Sequence, residues 1–70
     1  DPVVRWLNEC TRTEPSAITP ARDLFENFTQ WQERENVRPW SSTAFGRALN
    51  DHGFASEKKG TSYRKGLALA

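Results

Sequence analysis

The side chains with the clearest chemistry are hydroxyls, an amide and cations gathered between Ser41 and Lys65. Ser41, Ser42 and Thr43 stand where a helix should begin, and hydroxyls beside the open N–H groups of a helix start suit phosphate oxygens. Setting successive residues about 100° apart puts Thr43, Gly46, Arg47 and Asn50 on one face of that helix. Phe45, Ala48, Leu49 and His52 fall on the other. An arginine can bond guanine in a bidentate manner and an asparagine can pair with adenine. Gly46 leaves room for one of two things, the close approach of a backbone or close packing against another helix. Lys58 and Lys59 lie at the tip of an expected hairpin, with Arg64 and Lys65 on its return strand. Cations so placed suit a phosphate backbone or a minor groove. The chemistry implied is the binding of a polyanion, DNA first.

Other chemistries find little support. His52 is the one histidine and Cys10 the one cysteine, far apart in sequence, which is a poor basis for a metal site. Cys10 reads as a small buried hydrophobe, and a lone cysteine without disulfide partner fits a reducing compartment. Nucleophilic catalysis needs a nucleophile, a base and an orienting group, and no such set can be read here. Glu33 and Glu35 lie at an exposed helix end, where carboxylates are ordinarily solvated. Gly46, Gly53, Gly60 and Gly66 are spaced singly and make no phosphate-cradling loop. The expectation is therefore no catalytic residue, no metal and no cofactor in this stretch of chain.

Charge agrees with a one-sided partner. The net charge is +1, but residues 1–40 hold five basic and seven acidic side chains while residues 41–70 hold five basic and two acidic. A basic half on a near-neutral chain suits a polyanion on that side, although a solvated face would carry the same balance.

The elements that must position these groups follow from periodicity. Val3, Trp6, Leu7 and Cys10 recur at the spacing of one helix face, predicting a helix from about Pro2 to Thr11, broken by Thr13 to Ser16. Ala17-Ile18-Thr19 could add a short edge strand. Thr19 as cap and Pro20 at the first helical position start a second helix at about Pro20, with Leu24, Phe25, Phe28 and Trp31 as its apolar stripe. It reaches Arg34 or Glu35, with Asn36 and Pro39 beyond it. The third helix is expected from about Thr43 to His52, with Gly53 as its left-handed cap. Phe54 to Lys58 and Ser62 to Leu69 read as a hairpin about Lys59-Gly60-Thr61. In the second strand Tyr63, Leu67 and Leu69 share a parity that would lie on the core, and Lys65 shares it awkwardly.

With 70 residues there is room for one domain and a thin core. Three Trp, four Phe and one Tyr supply that core, each removing about 150–250 Å² from water when buried. The order helix, strand, helix, helix, hairpin is that of an α+β winged helix-turn-helix. The absence of Met and the start at Asp1 lead us to expect a single module of a larger protein. No stretch looks long or apolar enough to span a membrane, and no signal-peptide pattern appears.

The stretch Trp31 to Leu69 resembles the C-terminal domain of phage and plasmid primase-helicase proteins, the virus-type replication ATPases. The resemblance rests on Phe28-x-x-Trp31, on Ser42-Thr43-Ala44-Phe45-Gly46-Arg47-Ala48-Leu49 followed by Gly53-Phe54, and on Tyr63-Arg64-Lys65-Gly66-Leu67. It extends over nearly the whole chain, including Thr19-Pro20. It implies a domain that follows a helicase ATPase core, acts on DNA during replication initiation or helicase loading, and works in the bacterial cytoplasm on behalf of a mobile element. Its partners would be DNA, duplex or fork in preference to single strand, and the rest of the parent chain. The ATPase motifs of that family are not in these residues. Two other readings share the fold: docking onto the helicase core or a loader, with Trp40 as contact or as core cover, and the DNA-binding domain of a transcription regulator.

Overall fold

The computed structural model describes residues 1–70, the side chain of Lys59 excepted. Helix α1 spans Pro2–Cys10. Asp1 caps it, its Oδ1 accepting from the Val3 amide at 2.8 Å, and Pro2 sits where its missing N–H leaves no bond unmade. Val3 and Trp6 are fully buried, with Leu7 and Cys10 packed against the same cluster, as the spacing requires.

Strand β1, Thr11–Pro20, is much longer than the expected Ala17–Thr19. It pairs antiparallel with β3, Thr61–Leu69. Thr11 to Thr13 lie opposite Leu69 to Leu67, and Ile18 to Pro20 opposite Lys65 to Tyr63. Glu14 to Ala17 therefore bulge outward across from Gly66, whose φ of +84° is open to glycine at little steric cost. Helix α1 stops at Cys10, where β1 takes over, so the expected breaker Thr13 to Ser16 lies instead within the strand and its bulge. Strand β2, Ser56–Lys59, completes a sheet of order β1-β3-β2. Lys59 pairs with Thr61 about Gly60.

The bulge at Gly66 also changes which residues face inward. Arg64 and Leu67 are buried, whereas Tyr63 is half-buried and Lys65 exposed. The expected parity of Tyr63 with Leu67 is thus overturned, because a bulge reverses the alternation along a strand. Lys65 points away from the helices, and its awkward place in the core pattern disappears.

Helix α2 spans Ala21–Arg34. Thr19 does not cap it. Its Oγ1 donates instead to the Leu67 carbonyl at 2.6 Å, so the sheet takes the hydroxyl and Pro20 stands at the cap position without a side-chain bond. Helix α3 spans Ser42–Asp51. Both helices end in the same way. Asn36 (φ +57°) and Gly53 (φ +89°) adopt left-handed backbone, and the amides of Val37 and Phe54 reach back to Gln32 O and Leu49 O at 2.9 Å. This is the Schellman arrangement. It turns Phe54 onto the core, so Phe54 belongs to the connection and β2 begins only at Ser56. It also leaves His52 exposed as the cap residue, off the apolar face on which periodicity placed it.

The core is Val3, Trp6, Leu24, Phe28, Trp31, Phe45, Leu49 and Leu67. Trp6 lies edge-on to Phe28 and Phe45, with centroids at 5.5 and 5.3 Å, and Phe28 stacks on Phe45 at 4.6 Å. The indole N–H groups are satisfied: Trp6 donates to Asn27 Oδ1 at 2.8 Å and Trp31 to Glu9 Oε1 at 3.0 Å. Cys10 is a free cysteine at the edge of this cluster, and burial pushes its thiol pKa up. The fold is α+β, with three helices and a three-stranded antiparallel sheet closed by a C-terminal hairpin. That architecture is compatible with a winged helix-turn-helix. Among the described residues no helix is long and apolar enough to cross a membrane.

Candidate nucleic-acid interface

The capping oxygen of α3 belongs to Ser41, whose Oγ accepts from the Ala44 amide at 3.1 Å. Ser42 is the first helical residue. Ser42 and Thr43 are exposed in the first turn, and Arg47 and Asn50 are exposed further along. Thr43, Arg47 and Asn50 of the expected polar face are therefore open to solvent, with Phe45 and Leu49 buried behind them, while Gly46 is half-buried.

The hairpin divides its cations. Lys58 is exposed and pairs across the ladder with Ser62. Strand alternation puts it on the same side of the sheet as Arg64, the side that faces α3. Lys65 lies on the opposite side and forms a salt bridge to Glu57 at 3.3 Å. The side chain of Lys59 lies outside the described residues.

Arg64 departs most from its sequence reading. It is only 7% exposed and is turned onto the Gly46–Asn50 edge of the polar face of α3. Nη1 donates to Asn50 Oδ1 and to the Phe54 carbonyl, the latter at 2.9 Å, and Nη2 donates to the Gly46 carbonyl at 3.3 Å. Every acceptor is neutral, and burial lowers the guanidinium pKa below its ordinary value. Arg64 thus ties β3 to α3 and to the turn that follows it, and is not presented to a ligand on the wing surface.

These contacts explain Gly46. A Cβ at this position would meet Arg64 Nη2 at 3.0 Å. The structure shows close packing here, but against the Arg64 side chain of β3 and not against the helix expected from the sequence. Beside it an open cleft of about 290 Å³ runs between the start of α2 and α3, walled by Phe25, Phe45 and Leu49, with Arg22, Ser42 and Arg64 at its polar edge.

A family model described as Poxvirus D5 protein-like matches residues 1–68. The chain belongs to this family. No curated protein matches it. The match takes in every helix and strand but for the last residue of β3. It makes this a domain of a viral replication-protein type, in keeping with the resemblance carried by Ser42–Leu49 and Tyr63–Leu67.

In the poxvirus D5 protein-like domain, sequence reasoning missed one cation. Arg22 is exposed at the start of α2. It lines the cleft with Ser42, and a second depression with Thr61 and Ser62 of the hairpin. It was lost in the charge balance of the acidic half, although its place just after the Thr19-Pro20 helix start was a usable signal. On the far side of the domain Arg5 is occupied. It pairs with Glu35 at 3.0 Å and Glu9 at 3.7 Å and lies over the Trp31 ring at 5.1 Å.

Gly46→Ala gives a direct check on the packing. In an ordinary helix interior this change gains roughly 0.5–1 kcal/mol. Here the gain is expected to vanish, because the methyl displaces the Arg64 guanidinium. It should reappear when Gly46→Ala is made in an Arg64→Ala background. Urea unfolding of the four chains reads the coupling, and additive effects would refute it.

Proposed function

We propose that this domain binds DNA for a replication chain of the primase-helicase type, laying the exposed face of α3 on a duplex or fork and the hairpin on adjacent phosphates. The observation that carries the reading is the continuity of two surfaces. Thr43, Arg47 and Asn50 are exposed along α3, and Lys58 stands on the side of the hairpin that faces it. Among the described residues neither Arg47 nor Lys58 enters an ion pair, so both charges remain available to phosphate. Ser42 and Thr43 add hydroxyls at the helix start, and Arg22 extends the cationic edge toward α2. Lys59 adds its charge to the hairpin, and Lys65 lends the outer side a partly neutralised one. Arg64 positions α3 against the wing without touching DNA. In this reading the domain supplies attachment to DNA, and the ATPase chemistry belongs to other parts of the chain.

The docking alternative rested on an available Trp40. That ring is half-buried and edge-on to Phe28 at 5.9 Å, so it favours core cover. The regulator alternative shares the interface and differs in requiring a steep preference for one operator-like sequence.

The test is an amide-shift titration of the labelled domain with a short duplex and a matched single strand at two salt concentrations. Shifts on α3 and the hairpin are expected, with dissociation constants on the order of 10⁻⁴–10⁻⁶ M for non-sequence-specific DNA. If two or three phosphates are neutralised, log K should fall against log salt with a slope of about −2 to −3. Arg47→Ala should weaken binding about tenfold while stability stays within about 0.5 kcal/mol of the parent. An unchanged affinity in that folded variant, or no shift with either DNA at low salt, would overturn the proposal.

A further inference from the structure

We propose that the cleft between α2 and α3 receives one unpaired nucleotide, its base against Phe25 and its phosphate at Arg22, so that the domain favours forked DNA over a plain duplex. The proposal rests on the DNA-binding reading above. It adds which form of DNA fills the interface.

The cleft has a volume of about 290 Å³, at the small end of the range for small-molecule sites, roughly 300–1,000 Å³. Its walls are apolar. Phe45 and Leu49 are buried at its back. Phe25 and Ala21, on the first turns of α2, are half-buried and supply the part of the wall that a ligand can touch. The Phe25 ring is held by Phe45, with centroids at 5.5 Å and planes at 50°. A fixed aromatic ring beside a cationic rim is the recurring platform for unpaired bases, since every base has a π-face.

The charge of the cleft is one-sided. Among the described residues no carboxylate lines it. Arg22 is exposed at its rim and enters no ion pair among the described residues. Arg64 lines it from β3 with neutral acceptors only, and its Nε has no hydrogen-bond partner. Two uncompensated guanidiniums beside an apolar wall suit a ligand that joins a planar apolar group to an anion. Position then favours a nucleotide over an acidic peptide. At about 100° per residue, Ser42 and Gly46 fall between the buried side of α3 and the face of Thr43, Arg47 and Asn50. The mouth of the cleft thus adjoins the surface assigned to DNA, and Arg22 and Ser42 belong to both. A base within a duplex is paired and stacked and must be extruded before it can enter. An unpaired base at a fork enters without that cost.

The experiment compares three DNAs: a short duplex, the same duplex ending in an unpaired fork, and that fork with abasic arms, which keep the phosphates and lose the bases. Anisotropy titrations at low salt are run with the parent domain, Phe25→Leu and Ala21→Leu. Leucine at position 25 keeps apolar packing on Phe45 and removes the ring. Leucine at position 21 fills the cleft and leaves Phe25 in place, which guards against loss of fold in the first variant. The parent is expected to bind the fork about tenfold more tightly than the duplex. Abasic arms should lose most of that gain. Both variants should lose it too, while their affinity for the duplex stays that of the parent. Equal affinity of the parent for the fork and the abasic fork would overturn the proposal while leaving DNA binding intact. So would a fork gain that survives in either variant, and the cleft would then be open to a protein segment instead. If the parent binds none of the three DNAs, both this proposal and the reading beneath it fail.

Discussion

Trp6→Ala is expected to cost about 3–5 kcal/mol, the range for emptying an aromatic site in a packed core. A domain of this length has roughly 0.05–0.15 kcal/mol of stability per residue, so this one substitution removes much or all of it. The size follows from the position of the ring. Trp6 is fully buried, lies edge-on to Phe28 and Phe45, and donates its indole N–H to Asn27. It joins all three helices. Deleting it opens a cavity at their meeting point and leaves the Asn27 oxygen without its donor. Far-ultraviolet circular dichroism against urea checks this, and a loss below about 1.5 kcal/mol would show that the site collapses far more readily than a close-packed core should.

Arg64→Ala is expected to cost about 2–4 kcal/mol, the scale of losing hydrogen bonds made by a buried charged group. Two terms oppose each other. Removing a desolvated cation is favourable, since none of its acceptors carries a negative charge. Against that stand three bonds to α3 and its following turn, and the packing of the aliphatic stem. The bonds should dominate, because the Phe54 carbonyl is left without its donor and alanine fills none of the space. Arg64→Leu should recover part of the loss by restoring volume. The predicted fall in melting temperature is roughly 4–8 °C for each kcal/mol lost. Calorimetry of both variants reads it, and a melting temperature that rises in Arg64→Ala would mean that desolvation outweighs the bonds. DNA affinity should fall in the same variants, since the hairpin loses its tie to α3.

The element order was legible because each helix carries its own local signals. Val3, Trp6, Leu7 and Cys10 mark α1, Asn36 ends α2, and Gly53 ends α3. The exposure of Thr43, Arg47 and Asn50 was legible too, since they need only helical spacing to share a face. What stayed hidden depends on partners distant in sequence. Thr19 has the chemistry of a helix cap, and only the proximity of Leu67 diverts it. The alternation of β3 was carried straight through Gly66, and the bulge there exchanges the inward and outward sets. Arg64 then moves from the wing surface to the interior. An isolated glycine within a strand is a signal of such a bulge. Its register, however, is set by Thr13 and Ile18 on β1, and no local pattern names them.

The position of β3 at the centre of the sheet constrains the order in which the domain can be built. Thr11 waits for Leu69 as its ladder partner, and the Ala70 amide closes onto the Cys10 carbonyl. Contacts this distant in sequence carry a loop-closure cost before they return any stability. During synthesis α1 and β1 emerge first, yet β1 has no neighbour to pair with until the last strand has cleared the ribosome exit. The sheet can therefore close only as the final strand joins, and the contacts of β1 come last although its residues are made early.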